Sequence, residues 1–253
     1  MPVSSRFFCQ SPRRLAIGAV LLMAAVSMQA QGQERLARAG SKPLASRVAA
    51  APLPRAPEAV PEHVQDFAQR VARSGDARQF SFAVIDKPMA RLWVFHADGE
   101  LADQTPVIVG QAPGDETPPD IGSRPLSKIA LHEKITAAGR FETEPGKNHK
   151  GEDIVWLDYH SALSMHRVRN VPGEQRLKRI QSDDVRQRRI SYGCVNVPAS
   201  FFDRHIKPQF SQRPGVVYVL PEQRSLAQVF PFAADAAQLS QTGPGLAAAR
   251  PGS

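Results

Sequence analysis

From Phe80 to Pro221 the chain is cut into short runs of β-forming residues at close intervals, and this more than anything else restricts how it can fold. FSFAVID, ARLWVFH and QTPVIVG come first, then KIALHEKI, AAGRFETEPG, DIVWLDY and finally VVYVLP. Val, Ile, Phe and Trp dominate several of these runs, and the spacing between them is set by turn formers, of which Asp98-Gly99 is the strongest. The pattern predicts a mainly β fold, a closed or sandwiched sheet structure with one or two short helices. Within this stretch only Pro198 to His205 (PASFFDRH), with proline at a helix start, reads as helical.

The flanks read differently. Residues 1–14 carry Arg6, Arg13 and Arg14 with no acidic residue, LAIGAVLLMAAVSM follows, and the small residues Ala30 and Gly32 come next. That order is the one found in a secretory signal peptide, expected over 1–32; a retained signal-anchor helix is the alternative, and either takes the protein out of the cytosol. No uncharged apolar run reaches the roughly 18 residues a spanning helix needs, so a polytopic membrane protein is excluded and no membrane span is expected after signal cleavage. Residues 33–61 are mainly Ala, Pro and Arg, the composition of a disordered linker. Val64, Phe67, Ala68, Val71 and Ala72 then recur at helical spacing, so 62–77 is expected as a short helix ahead of a main domain at 78–221. Residues 222–253 lack a sustained pattern and read as a flexible C-terminal tail.

Formal net charge is +8, and removing the three signal arginines leaves +5. On an exported protein this charge favours acidic envelope partners over nucleic acid. Cys9 lies inside the signal, so Cys194 is the single thiol of the mature chain and no internal disulfide can form. A lone cysteine in an oxidising compartment is either buried and inert or kept for its chemistry. Its context, RRISYGCVNVP, suits a nucleophile, because a glycine directly before the cysteine allows a tight turn and close approach of substrate. A thiol attacks as the thiolate and needs a partner that lowers its pKa. Seven histidines are available, and position alone selects none of them. There is no Cys-x-x-Cys and no His-Glu-x-x-His, so no metal and no cofactor are expected.

His166, followed downstream by Ser191-Tyr192-Gly193-Cys194-Val195-Asn196, resembles the catalytic domain of L,D-transpeptidases of the YkuD type, whose pattern is a histidine, a spacer, then Ser/Thr-His-Gly-Cys and an Asn or Arg shortly after. VIDKPMARLWVFHADGEL is similar to that family's first hairpin, QTPVIVG to its next strand and AAGRF to its Thr-Pro-x-Gly-x-Phe segment, so the resemblance spans roughly 80–221. The resemblance implies Cys194 as a nucleophile that forms a thioester and His166 as its base. It implies Gly193 and Cys194 N–H groups near an oxyanion, Ser191 as a positioning group, and Asn196 shaping the loop or touching substrate. It further implies peptidoglycan stem peptides as substrates in the periplasm or cell envelope, with release of D-alanine and inactivation by carbapenems. The acceptor could be a stem amine, a lysine of an envelope lipoprotein, or water, the last giving a carboxypeptidase or endopeptidase.

Three departures from the family pattern stand out. Tyr192 occupies the place where histidine is usual, Arg167 follows His166 where a small residue is usual, and 28 residues separate His166 from Cys194, more than in most members. His160 is therefore the runner-up base, and a catalytically weak cell-wall binding protein is the alternative function. Residues 167–189 hold eight basic and three acidic side chains, which read either as a basic lid for substrate carboxylates or as a solvated helix face.

Overall fold

The computed structural model describes residues 59–233, so the expected signal peptide and most of the expected linker lie outside the described residues, as do residues 234–253. The structure is mainly β. A helix α1 (Glu62–Ser74) precedes strands β1 (Phe82–Asp86), β2 (Arg91–Phe95), β3 (Leu101–Pro106) and β4 (Val109–Gly110). Strands β5 (Gly139–Glu142), β6 (Glu144–Lys147), β7 (Asp153–Asp158) and β8 (Leu163–Arg167) follow. The single-turn helix α2 (Arg176–Arg179), then β9 (Arg189–Ser191) and β10 (Val195–Val197), lead into α3, which starts at Ala199–Phe201 and continues as a π-helix over Phe202–Ser211. β11 (Val216–Val219) and the short α4 (Leu226–Val229) close the described chain.

Two sheets pack face to face. The larger has the order β3-β2-β1-β11-β5 and the smaller β10-β8-β7-β6, while β4 and β9 form a two-stranded parallel pair. Side chains alternate along the central strands of the larger sheet, with Ala83, Ile85, Leu92, Val94, Val217 and Val219 on one face and Phe82, Val84, Trp93, Phe95, Val216 and Tyr218 on the other. The first face meets Val155, Met165, Val195 and Val197 of the smaller sheet and Phe202, Ile206 and Phe210 of α3. The second is covered by Val64, Phe67, Ala68 and Val71 of α1 and by Phe230 and Ala233.

This double cover explains why β1 is buried at every position, and it brings α1 and residues 222–233 into the folded unit. α1 is a layer of the domain: Phe67 packs edge-on to Tyr218 with ring centroids 5.4 Å apart and lies 4.9 Å from the Phe230 ring. Residues 222–233, expected in a flexible tail, are held by Phe230, 1% exposed, and by the Glu222 carboxylate described below. KIALHEKI is not a strand, because residues 126–133 form two 3₁₀ turns with Leu126 and Leu131 left exposed. The expected helix at Pro198 runs on to Ser211 with Pro208 inside it; that residue has no N–H to give, and the Gln212 N–H donates five residues back to the Lys207 carbonyl.

A buried ion cluster joins four segments. Lys87, fully buried in the β1–β2 turn, donates to the Asp115 carboxylate at 2.6 Å and to the Gly114 carbonyl, with Glu222 at 3.7 Å. Arg189 grips Glu222 through both guanidinium nitrogens, at 3.0 and 2.9 Å, and also donates to the Lys87 and Ala112 carbonyls. Burial alone would raise the Asp115 pKa, but Lys87 and the backbone N–H groups of Glu222, Arg224 and Gln223 hold it at about 2. Burial pulls the Lys87 ammonium below its usual value against the attraction of Asp115 and Glu222.

Asp115→Asn leaves the Lys87 charge with only the more distant Glu222, and the expected loss is about 3 kcal/mol of unfolding free energy in urea titrations at pH 7. Because the Asp115 pKa is depressed, its contribution is fully present above about pH 4 and fades as pH falls towards 2. The difference between parent and variant should therefore narrow at pH 2.5.

Candidate active site

Cys194 sits in the two-strand corner where β9 ends and β10 begins. Gly193 has φ +134°, a conformation that side chains rarely adopt, and a Cβ there would lie 2.7 Å from the Ile135 carbonyl oxygen. The glycine read from the sequence as permitting a tight turn is thus required by backbone angle and by space. Thr136, 1% exposed, locks the same peptide from behind: its hydroxyl donates to the Gly193 carbonyl at 2.6 Å and accepts the Gly110 N–H at 2.8 Å.

β10 runs parallel to β8, with Val195 opposite Met165 and Asn196 opposite His166. That pairing carries His166 and Ser164, two apart on β8 and so on one face, to the thiol. The Ser164 hydroxyl donates to Cys194 Sγ at 3.5 Å, and Sγ lies 3.4 Å from the Ala162 carbonyl, to which the S–H donates. His166 Nδ1 lies 2.9 Å from the Arg167 carbonyl. A carbonyl only accepts, so Nδ1 carries the proton and Nε2 is the basic atom of the ring. Burial pushes the Cys194 thiol up, but the hydrogen bond and charge of His166, followed by the Ser164 hydroxyl and backbone N–H, bring it down to about 7. His160, the alternative base, is exposed in the β7–β8 turn with its ring beside Tyr159, and it is not among the groups that shift the thiol.

The other expected site residues divide between the cleft and its support. Ser191, 1% exposed, accepts the Gly193 N–H on its Oγ at 3.1 Å, so that N–H, expected near an oxyanion, is already engaged. Asn196 is fully buried and cannot touch substrate; it donates to the Cys194 carbonyl at 3.1 Å and accepts from Arg176 Nη1 at 2.8 Å. Arg176, in the segment expected as either a basic lid or a solvated helix face, is 8% exposed and pairs with Glu174, so it supports the nucleophile's turn from beneath. Tyr192 lines the cleft beside Cys194 together with Ile121, Ile135, Ala137, Ala162 and Leu163. The cleft encloses about 20 Å³, room for about one water. Thr136 and Ser164 were not singled out from the sequence, because a hydroxyl in a strand carries no signal until pairing shows what it faces.

No family model matches the chain, and no curated protein matches it. Among solved structures it is similar to an L,D-transpeptidase of Enterococcus faecium, at 19% identity over 56% of this chain and 50% of that one, with a TM-score of 0.32. It is also similar to the helical cell shape determining protein Pgp2 of Campylobacter jejuni, at 14% identity over 64% and 57% of the two chains with a TM-score of 0.39. A third is an L,D-transpeptidase of Stackebrandtia nassauensis, at 21% identity over 62% and 65% with a TM-score of 0.34. The chain spans about half the length of the first of these.

Alkylation of Cys194 by iodoacetamide should show a rate midpoint near pH 7. His166→Ala removes the group that most lowers the thiol pKa, so the midpoint moves up and the rate at pH 7 falls about tenfold. Ser164→Ala should move it in the same direction by less.

Proposed function

We propose that this chain is an exported cysteine acyltransferase of the L,D-transpeptidase type, acting on peptidoglycan stem peptides. The observation that carries this reading is the placing of Cys194 behind a glycine turn, with Ser164 bonded to its sulfur and with His166, oriented by the Arg167 carbonyl, as the group that most lowers the thiol, to about 7. Near neutral pH such a pair supplies a useful fraction of thiolate without a metal.

In this reading Cys194 Sγ attacks the carbonyl between the diamino acid and the terminal D-alanine of a tetrapeptide stem. The S–C bond forms as the carbonyl becomes an oxyanion, which the Cys194 N–H stabilises at the moment its charge appears. His166 holds the thiol proton on Nε2 and gives it to the departing amine, the C–N bond breaks, and D-alanine leaves with the stem held as a thioester. An acceptor then attacks the thioester, passes its proton to His166 and restores the thiolate. A stem amine gives a cross-link, a lysine of an envelope lipoprotein gives an anchor, and water gives a carboxypeptidase or, on a cross-linked substrate, an endopeptidase. The reading places the signal at 1–32, a linker at 33–61 and the enzyme in the periplasm or cell envelope. Among the described residues no helix is long and apolar enough to cross a membrane.

A second reading, a catalytically weak wall-binding protein, draws on Tyr192 in place of histidine and on the narrow cleft. The two part on one experiment. Incubated with disaccharide-tetrapeptides, the mature protein should gain an acyl adduct on Cys194 and release D-alanine, both read by mass spectrometry. Cys194→Ala should keep its thermal transition and lose adduct and product together. A folded parent protein with neither would leave the binding reading in place of the enzyme.

A further inference from the structure

Beside Tyr192 a second cavity of about 340 Å³ opens, lined by Gln111, Lys134, Glu174, Arg179, Arg189 and Tyr192 among others. Tyr192 also lines the thiol cleft, so the two share this residue. Charge in this cavity is unevenly matched. Arg189 is paired with Glu222, and Glu174, the lining carboxylate, is paired with Arg176. Arg179 spends its guanidinium on neutral acceptors, the Glu174 carbonyl and Gln187 Oε1, both at 2.9 Å. Lys134 has no carboxylate partner among the described residues; its ammonium stands 4.0 Å from the centroid of the Tyr192 ring. Cation and ring hold each other, so Tyr192 keeps Lys134 facing the cavity and Lys134 fixes the wall of the nucleophile's cleft.

We infer that this cavity is a subsite for a peptide carboxylate, held by Lys134 and Arg179 next to Tyr192. The inference deepens the acyl-transfer reading and rests on it for the identity of the peptide. A partly enclosed cavity with two cations whose charge no carboxylate neutralises, next to a nucleophile that acts on peptide carbonyls, fits an anionic end of the substrate. A neutral ligand would leave both charges uncompensated. The basic segment 167–189 divides accordingly: Arg176 turns inward to Asn196 and Arg179 faces the cavity. Tyr192, where the resemblance leads one to expect histidine, supplies the ring that holds Lys134. The same chemistry could come from the terminal carboxylate of the donor stem or from that of the acceptor stem, and the two are separable.

Binding is measured by calorimetry in a Cys194→Ala background, where no turnover occurs, with a disaccharide-tetrapeptide bearing either a free terminal carboxylate or the carboxamide. Lys134→Gln and Arg179→Gln should each weaken binding of the carboxylate form about three- to tenfold. Lys134→Arg should restore it, and the carboxamide should bind parent and Gln variants alike. In the protein with Cys194 intact, slower adduct formation in Lys134→Gln assigns the cavity to the donor. Unchanged adduct formation with slower resolution by an added amine-bearing stem assigns it to the acceptor. Equal affinity for carboxylate and carboxamide, equal affinity in parent and Gln variants, or no binding of either peptide overturns the subsite. The acyl-transfer reading stands or falls separately on the Cys194 adduct.

Discussion

The arrangement depends on one buried ammonium. Lys87 is fully buried, and a charge in that position is tolerable only where carboxylate and carbonyl oxygens surround it. Meeting that demand brings the β1–β2 turn, the loop at Gly114-Asp115, the segment after β11 and, through Glu222, Arg189 at the start of β9 to one point. β9 ends at Ser191, so the cluster anchors one end of the turn that carries Cys194. The other end is anchored by β10 against β8, and Thr136 holds the middle. The nucleophile stands on a short span of backbone clamped on three sides, which is what preorganised chemistry requires.

Within that span, two opposing effects set the thiol. Desolvation favours the neutral form, while His166 and Ser164 favour the thiolate and win by a margin that leaves the group near neutrality. The Ala162 carbonyl accepts from the S–H and so favours the neutral form, while the Ser164 hydroxyl can serve either form. The balance depends on β8, which carries both His166 and Ser164, and on the chain leading into it, which carries Ala162.

How much of this the chain announces in advance varies with the range of the interaction. The β character, the Asp98-Gly99 turn and the helical periodicity of α1 are local and readable: the Gly99 N–H does donate to the His96 carbonyl, and Gly99 takes φ +87°. The role of α1 was not readable, because only tertiary structure shows that Phe82, Trp93 and Tyr218 form a second apolar face in need of cover. The packing of residues 222–233 was hidden for the same reason. Around the sulfur, the need for glycine at 193 follows from its place before the cysteine, and His166 was picked by resemblance to a family. Ser164, Thr136 and the inward course of Arg176 depend on contacts across 30, 57 and 20 residues of sequence, which no local pattern encodes.

Two parallel neighbours such as β8 and β10 cannot be joined by a hairpin; the chain has to travel out and come back. Everything between Val168 and Arg188 belongs to that excursion, and its two ends are set by sheet pairing instead of by its own length. The geometry between imidazole and sulfur is therefore insulated from insertions and deletions in the excursion, provided that Arg176 still reaches back to Asn196, Ile180 stays packed with Ile108 and Arg188 keeps its bond to the Met89 carbonyl. Such a segment is free ground for evolutionary change. Its size and charge can drift, and with them the choice of molecules admitted, while the reacting pair stays in place.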